Sequence, residues 1–517
     1  MVASGTLVAV VALGRIGVES AVVFVVAGLV VGFLPFVPDV SLEPEVALLG
    51  LLPLLVFDAS VTSSPTAFSR SASSIGMLAI GLVVVTALVV AGVGHWVGHL
   101  SWAMAFVLGT AVGPTDAAAA TAIARRLGLP RRLQAILEGE ALFNDATALV
   151  LYAAAVTAAT GGHFSAVGTA GSIVYASVVG AALGLIVGAI GRYLRDRVDD
   201  PPIEIAGSIL LAYAAYLPAE AVHASGVLAA VTAGLYLGWH SSSGAFSARS
   251  RLQSAAFWQT LVFLINAALF LFVGLSFHTF TTQARGPLGR LAITGLVVVS
   301  AVIVTRLVWM EATGWLARLR RPPDPVAGHT GWRERAVLGW SGMRGAITLA
   351  ALLAVPRTTQ AGRVLIGRDD IIYLGFAVII ATVIGQGLTL PLLVKRLALT
   401  EHPSVADAER RARLRLTQTV LEHLGNLDQR SNSSAELIDG LRAQYLTRRR
   451  RLETGQDGES GARAATSADD ERALRGELID LQRHQLTELR RAGQIGITTQ
   501  RLIERELDLE DARLSRR

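Results

Sequence analysis

Between Gly109 and Tyr152 two apolar stretches carry acidic side chains. Asp116 follows Gly113-Pro114-Thr115; Glu138, Glu140 and Asp145 follow a loop containing Arg125, Arg126, Pro130, Arg131 and Arg132. At the centre of a bilayer a charged side chain costs about 2.5–3.5 kcal/mol on insertion scales. Several in one hairpin need a reason, and the default one is an ion or proton path. Asp145 offers hard oxygen to a monovalent cation. Out of water its charge must be neutralised, so proton and cation compete for one carboxylate. A site that crosses the membrane loaded with one or the other, never empty, is the minimal machinery of exchange. Asn144 can orient a neighbouring carboxylate or unwound backbone without adding charge.

In a helix beginning after Pro130, Ala141 and Asp145 share one face, and Glu140 and Asn144 a neighbouring one. Asp116 stands where a helix crossing would bring it towards them. Arg344, in another apolar run, reads as the counter-charge of Glu140 or Glu138. That pair is expected to hold the bundle together, whereas Asp145 is expected to bind the transported species.

Two spans must be interrupted to position these groups. Gly113-Pro114 breaks the first, because proline lacks a donor and clashes with the preceding turn. Gly339, Gly342 and Gly345 surround Arg344 in the second. Apolar runs between Arg, Gly and Pro breaks give about thirteen spans, centred roughly on residues 8, 27, 53, 83, 112, 146, 179, 212, 231, 266, 301, 344 and 382. The first is short and need not span. The two broken spans are seven apart in order, as expected of two six-helix inverted repeats joined by a linking helix. Half-helix ends then place partial charges at mid-membrane, where unwound carbonyls can ligate a cation.

The composition agrees: 52% of the 517 residues are hydrophobic and 17% charged, with mean hydropathy +0.51, outside the range of ordinary soluble domains. No cysteine is present, which excludes disulfides and thiolate chemistry. The net charge of +6 comes from arginines in short loops and the tail, so membrane topology explains it and a nucleic-acid partner is not expected. Arg15, Arg70, the Arg125–Arg132 group, Arg192 to Arg197, Arg249 and Arg251, Arg318 to Arg321, and Lys395 with Arg396 fall on alternate loops. The positive-inside rule puts those loops and the C-terminal tail in the cytoplasm. The composition divides the chain into a membrane domain, 1–400, and a tail, 401–517, rich in Arg, Glu, Leu and Gln at helical spacing. A regulatory role fits the tail. The fold class expected is therefore an all-α membrane protein with two crossed discontinuous helices and a helical cytoplasmic tail. Glu220 with His223 reads as a structural pair, and Asn266 as a bond between helices.

Six segments resemble, in order, the motifs of monovalent cation/proton antiporters of the NhaP and sodium–proton exchanger type. They are LLPLLVFDAS (51–60), GPTDAAAA (113–120), EGEALFNDATALVLY (138–152), AAYLPAEAVHASGVLAAVTAGL (214–235), GWSGMRGAITLA (339–350) and VIGQGLTLPLLVKRL (383–397). The resemblance implies that Asp145 binds ion and proton beside Asn144. It implies that Thr115 offers an oxygen to the cation and that Asp116 contributes nearby. It pairs Glu140 with Arg344 and gives Asp58 an accessory place. It further implies a homodimer in the cytoplasmic membrane, without cofactor, exchanging sodium or lithium for protons one for one in pH and sodium homeostasis, with a six-helix core moving against a dimerisation domain. Two departures stand out. Ala141 replaces a Ser that ligates the ion in many relatives, and Ala117 replaces the Pro that commonly follows the Asp. Ion selectivity therefore does not carry over, and potassium–proton exchange on the same fold is the nearest alternative. A passive cation channel would explain buried acids but not the paired broken spans. An intramembrane aspartyl protease would want a GxGD motif that the sequence lacks.

Overall fold

The computed structural model describes residues 19–399, apart from 35–42, 44, 64–73, 162–165, 198–199, 241–247, 284–286 and 321–330, and scattered tail positions between 414 and 453. In lipid only helices satisfy a spanning backbone internally, and among the described residues the secondary structure is helical but for one isolated bridge, Thr358 to Val364. In chain order the helices are α1 Ser20–Gly32, α2 Val46–Val61, α3 Ser74–Trp96, α4 Trp102–Ala111, α5 Ala117–Arg126, α6 Arg131–Ala159 and α7 Ala166–Arg195. There follow α8 Pro201–Ala221, α9 Gly226–Trp239, α10 Ala248–Gln283, α11 Leu288–Arg320, α12 Trp332–Trp340, α13 Ala346–Leu353 and α14 Arg368–Leu397.

Among the described residues, seven helices are long and apolar enough to cross a bilayer. Every expected centre from residue 27 onward lies in a helix or, at 112 and 344, in a gap between two half-helices. The segment centred on residue 8 lies outside the described residues. Local signals set the ends. Ser101 and Ser225 cap α4 and α9 by accepting from the amides of Met104 and Leu228. Pro201 opens α8, where its missing N–H costs nothing.

Two apolar cores organise the bundle. One gathers buried residues from α1, the α3–α6 segment and α10–α14, among them Leu108, Leu133, Phe270, Met343 and Phe376. The other joins α2, α8, α9 and α10 through Phe57, Ala215, Ala233 and Trp258. A third, smaller cluster sets Leu142 and Ala146 of α6 against Val56, Tyr216, Val227 and Val231. It lies beside the Asn144-Asp145 pair. Close packing here relies on small residues: a Cβ at Gly28 of α1 would strike the backbone of α10 at Gly274.

The chain divides into two compact units, Met1–Glu401 and His402–Arg517. Of the second, the described positions include pairs at helical spacing, Gln418 with Glu422 and Arg449 with Glu453. The rest of the expected tail helices lie outside the described residues.

Candidate functional site

Both interruptions fall where the sequence places them. α4 stops at Ala111, before Gly113-Pro114, and the Ala-rich run restarts the helix at Ala117. α12 stops at Trp340, the chain runs unwound through Gly342–Gly345, and α13 begins at Ala346. The two gaps cross and bond: the Asp116 amide donates to the Met343 carbonyl at 2.8 Å. The Arg344 amide donates to Thr382 Oγ1 of α14 at 3.1 Å, whose hydroxyl donates to Val378 O at 2.8 Å. Glycine is required at two of these positions. A Cβ at Gly345 would land on the Asp116 carboxylate, and one at Gly342 on the Arg306 side chain.

α6 passes the crossing as a continuous helix and presents Glu140, Asn144 and Asp145, all buried. Asn144 Nδ2 donates to Thr115 Oγ1 at 2.8 Å. Thr115 Oγ1 donates to Glu140 Oε1 at 2.9 Å. A hydroxyl in the gap between α4 and α5 thus joins both α6 side chains. Asp145 is 8% exposed, and among the described residues nothing donates a hydrogen bond to its carboxylate. The Asn144 carbonyl oxygen is likewise unpartnered there. Asp116 lies near enough to Asp145 for their charges to interact. The crossing thus offers carboxylate, amide and backbone oxygens of the hard type that suit a small cation or a proton. Among the described residues no group of three or more His, Asp or Glu gathers in a metal-binding arrangement.

The expected partnership of Glu140 with Arg344 is corrected. Glu140 is held by Arg306 of α11, whose Nη1 meets Oε1 and whose Nη2 meets Oε2 at 2.8 Å. Arg306 Nε also donates to Leu338 O at 3.0 Å. The reason is steric and local. Arg306 reaches Glu140 over Gly342, while Arg344 has its amide fixed to Thr382. Sequence reasoning missed Arg306, although a signal existed: it is the only charge between Arg290 and Glu311 in an otherwise apolar run. Glu138 and Asp58 are half-buried.

Glu220 Oε1 accepts from the Gly226 amide at the start of α9 at 3.0 Å and lies near enough to His223 for their charges to interact, in keeping with the expected pair. One other expectation changes in detail. Asn266 Nδ2 donates to Val262 O one turn back on its own helix, not across to a neighbour. The extracore end of the second break is tied down as well. Tyr152 Oη of α6 donates to Ala351 O at 2.6 Å, and Arg368 Nε donates to Val355 O at 2.8 Å.

Comparison with known proteins gives consistent matches. Residues 2–396 match the family model described as sodium/hydrogen exchanger, transmembrane. An uncharacterised Na(+)/H(+) exchanger of Mycobacterium tuberculosis is 35% identical over 97% of this chain and 92% of its own length. The Na(+)/H(+) antiporter ApNhaP of Aphanothece halophytica is 32% identical over 74% of this chain and 71% of its own. Among solved structures, the sodium proton antiporter MjNhaP1 of Methanocaldococcus jannaschii matches with TM-score 0.59 at 20% identity, covering 76% of this chain and 95% of that one.

Proposed function

The chain belongs to the transmembrane sodium/hydrogen exchanger family, and from that premise we propose that it is a secondary antiporter exchanging sodium for protons at Asp145. The observation that carries the reading is the Asp145 carboxylate, buried at the crossing of two broken helices with no hydrogen-bond donor to it among the described residues. An unpaired buried carboxylate is held only with a counter-charge, and a sodium ion and a proton are alternative counter-charges. Sodium binds Asp145 from one side, with Thr115, Asn144 and Asp116 offering the nearby oxygens, and leaves on the other when a proton takes its place. Glu140 and Arg306 neutralise each other and hold Thr115 in position. Sodium rather than potassium is favoured because the named relatives are sodium–proton antiporters.

The alternation of arginine-rich loops supports a cytoplasmic-membrane protein with its tail in the cytoplasm. The seven-span offset of the two breaks supports two inverted repeats. A homodimer and a part in pH and sodium homeostasis follow from the family resemblance. The test is proton flux in sealed vesicles under an imposed pH gradient, with sodium, lithium, potassium or choline added in turn. Sodium should dissipate the gradient with the wild-type chain and not with Asp145→Asn. Cation-dependent exchange that persists in Asp145→Asn would remove Asp145 from the site.

A further inference from the structure

Between α13 and α14 the chain forms a small hairpin, closed by the bridge of Thr358 with Val364. The Thr359 amide donates to Arg363 O at 2.7 Å, and the Leu365 amide to Arg357 O at 2.9 Å. Leu365 turns inward and is buried, while its neighbours Val364 and Ile366 stand out, 61% and 86% exposed. Alternation along an extended chain accounts for the pattern. It leaves two bulky aliphatic side chains facing away from the protein.

The depth of the hairpin in the bilayer gives them a partner. The crossing of the half-helices belongs at mid-membrane, and α13, eight residues long, rises about 12 Å from it. The hydrocarbon ends about 15 Å from the midplane, so the hairpin lies at the level of the headgroups. It is held there at both ends. Arg368 donates to Leu353 O at 3.3 Å and to Val355 O at 2.8 Å, and the Gln360 amide donates to Thr160 O, just past α6, at 3.0 Å. Lys395 and Arg396 end α14 on the cytoplasmic side by the loop-charge pattern, so the hairpin at its start faces outward.

The charges of the hairpin are of one sign. From Pro356 to Gly367 they are Arg357 and Arg363, both exposed. Among the described residues neither is in an ion pair. The nearest acids in sequence, Asp369 and Asp370, open α14, and Asp369 holds Arg368. A guanidinium at headgroup depth meets lipid phosphate, whose geometry it matches with two parallel bonds. We propose that this hairpin is a docking surface for anionic phospholipid of the outer leaflet. Val364 and Ile366 enter the acyl boundary, and Arg357 and Arg363 take the phosphates.

The chain has no cysteine, so Ile366→Cys gives the full-length protein a single site for an environment-sensitive fluorophore. In vesicles of phosphatidylcholine with phosphatidylglycerol, nitroxide-bearing lipid should quench the label and aqueous acrylamide should not. Arg357→Gln or Arg363→Gln should each raise the phosphatidylglycerol fraction needed for half-protection about fivefold, the worth of one arginine at an anionic surface. The readout is binding and needs no transport, so it stands apart from the antiport reading. A label that acrylamide reaches and nitroxide lipid does not would overturn the inference. Protection that ignores phosphatidylglycerol, or that both substitutions leave unchanged, would overturn it as well. Glycerol phosphate in solution is the remaining arm: if it protects the label in phosphatidylcholine alone, the arginines serve a free phosphate and the lipid assignment fails.

Discussion

Glu140 and Arg306 meet across the crossing as a two-pronged ion pair, each about 1% exposed, with the arginine drawn over Gly342 to reach its partner. Such a pair is geometrically good but desolvated, so its net worth to the fold is small while the cost of halving it is large. Arg306→Gln or Glu140→Gln alone should lower stability by about 3–5 kcal/mol, because each leaves a buried charge uncompensated. The double variant should recover much of that loss. Thermal unfolding of the four proteins in detergent checks this; additive losses would mean that the two side chains are not coupled.

Thr115 is the link between that pair and Asn144, since its hydroxyl both accepts and donates. Thr115→Val removes the hydroxyl and keeps the shape, leaving Asn144 Nδ2 and Glu140 Oε1 each short of one bond. The expected effect is about 1–3 kcal/mol, read as a rise in the sodium concentration for half-maximal flux. Thr115→Ser keeps the hydroxyl and should retain most of the wild-type affinity. Equal behaviour of Val and Ser would show that only the backbone at 115 matters.

The parts of this arrangement that the sequence reveals are those encoded by interruption and by charge in apolar surroundings. Gly113-Pro114 and the glycines around Arg344 mark the two breaks because a helix cannot run through the first and is weakened at the second. Asp116, Glu140 and Asp145 stand out because nothing nearby in sequence excuses their charge. Which arginine holds Glu140 is not encoded that way. It depends on a side chain from α11 passing over Gly342, a contact made 166 residues away in the chain. Counting basic residues by loop also hides Arg306, which lies inside a span. Asn266 is a similar case: a polar residue in an apolar run must find a partner, but sequence leaves open whether its own helix provides it. The tail is legible only as composition and helical spacing, and most of it lies outside the described residues.

Tyr152 stands two turns beyond Asp145 on α6 and fastens α6 to the second half-helix through Ala351 O. Tyr152→Phe removes the donor but not the ring, and the loss should be about 0.5–1.5 kcal/mol of stability. Arg368 holds the adjoining carbonyls of Leu353 and Val355, so Arg368→Ala added to Tyr152→Phe should cost more than the sum if the two bonds brace one half-helix. A sum within error in unfolding experiments would show independent contacts.

One carboxylate serving sodium and proton in turn makes the two ligands competitive. Raising the pH should lower the sodium concentration needed for half-maximal flux and leave the flux at saturating sodium little changed, because deprotonating the same group frees it for the cation. The sign is fixed: protons mask the site and do not assist sodium. Flux measured against sodium at several pH values held equal on both sides checks it. A maximal rate that changes with pH while the half-saturating concentration stays constant would place the proton on a different group.

Gly345 offers the sharpest steric test. A Cβ there would fall on the Asp116 carboxylate, whose amide carries the bond to Met343 that joins the two breaks. Backbone and a side chain held at a crossing cannot yield as a flexible surface side chain does, so Gly345→Ala must displace Asp116 or separate the gaps. Sodium-driven proton flux should fall at least tenfold, while the protein remains in the membrane and monodisperse, because the change is confined to a few atoms in a large bundle. Gly385→Ala, on exposed α14 surface where an added Cβ meets nothing within 4 Å, should transport as the wild type does. Full activity of Gly345→Ala would mean that the Asp116 carboxylate can leave its position at the crossing without consequence for exchange, and Asp116 would then have no part in the site.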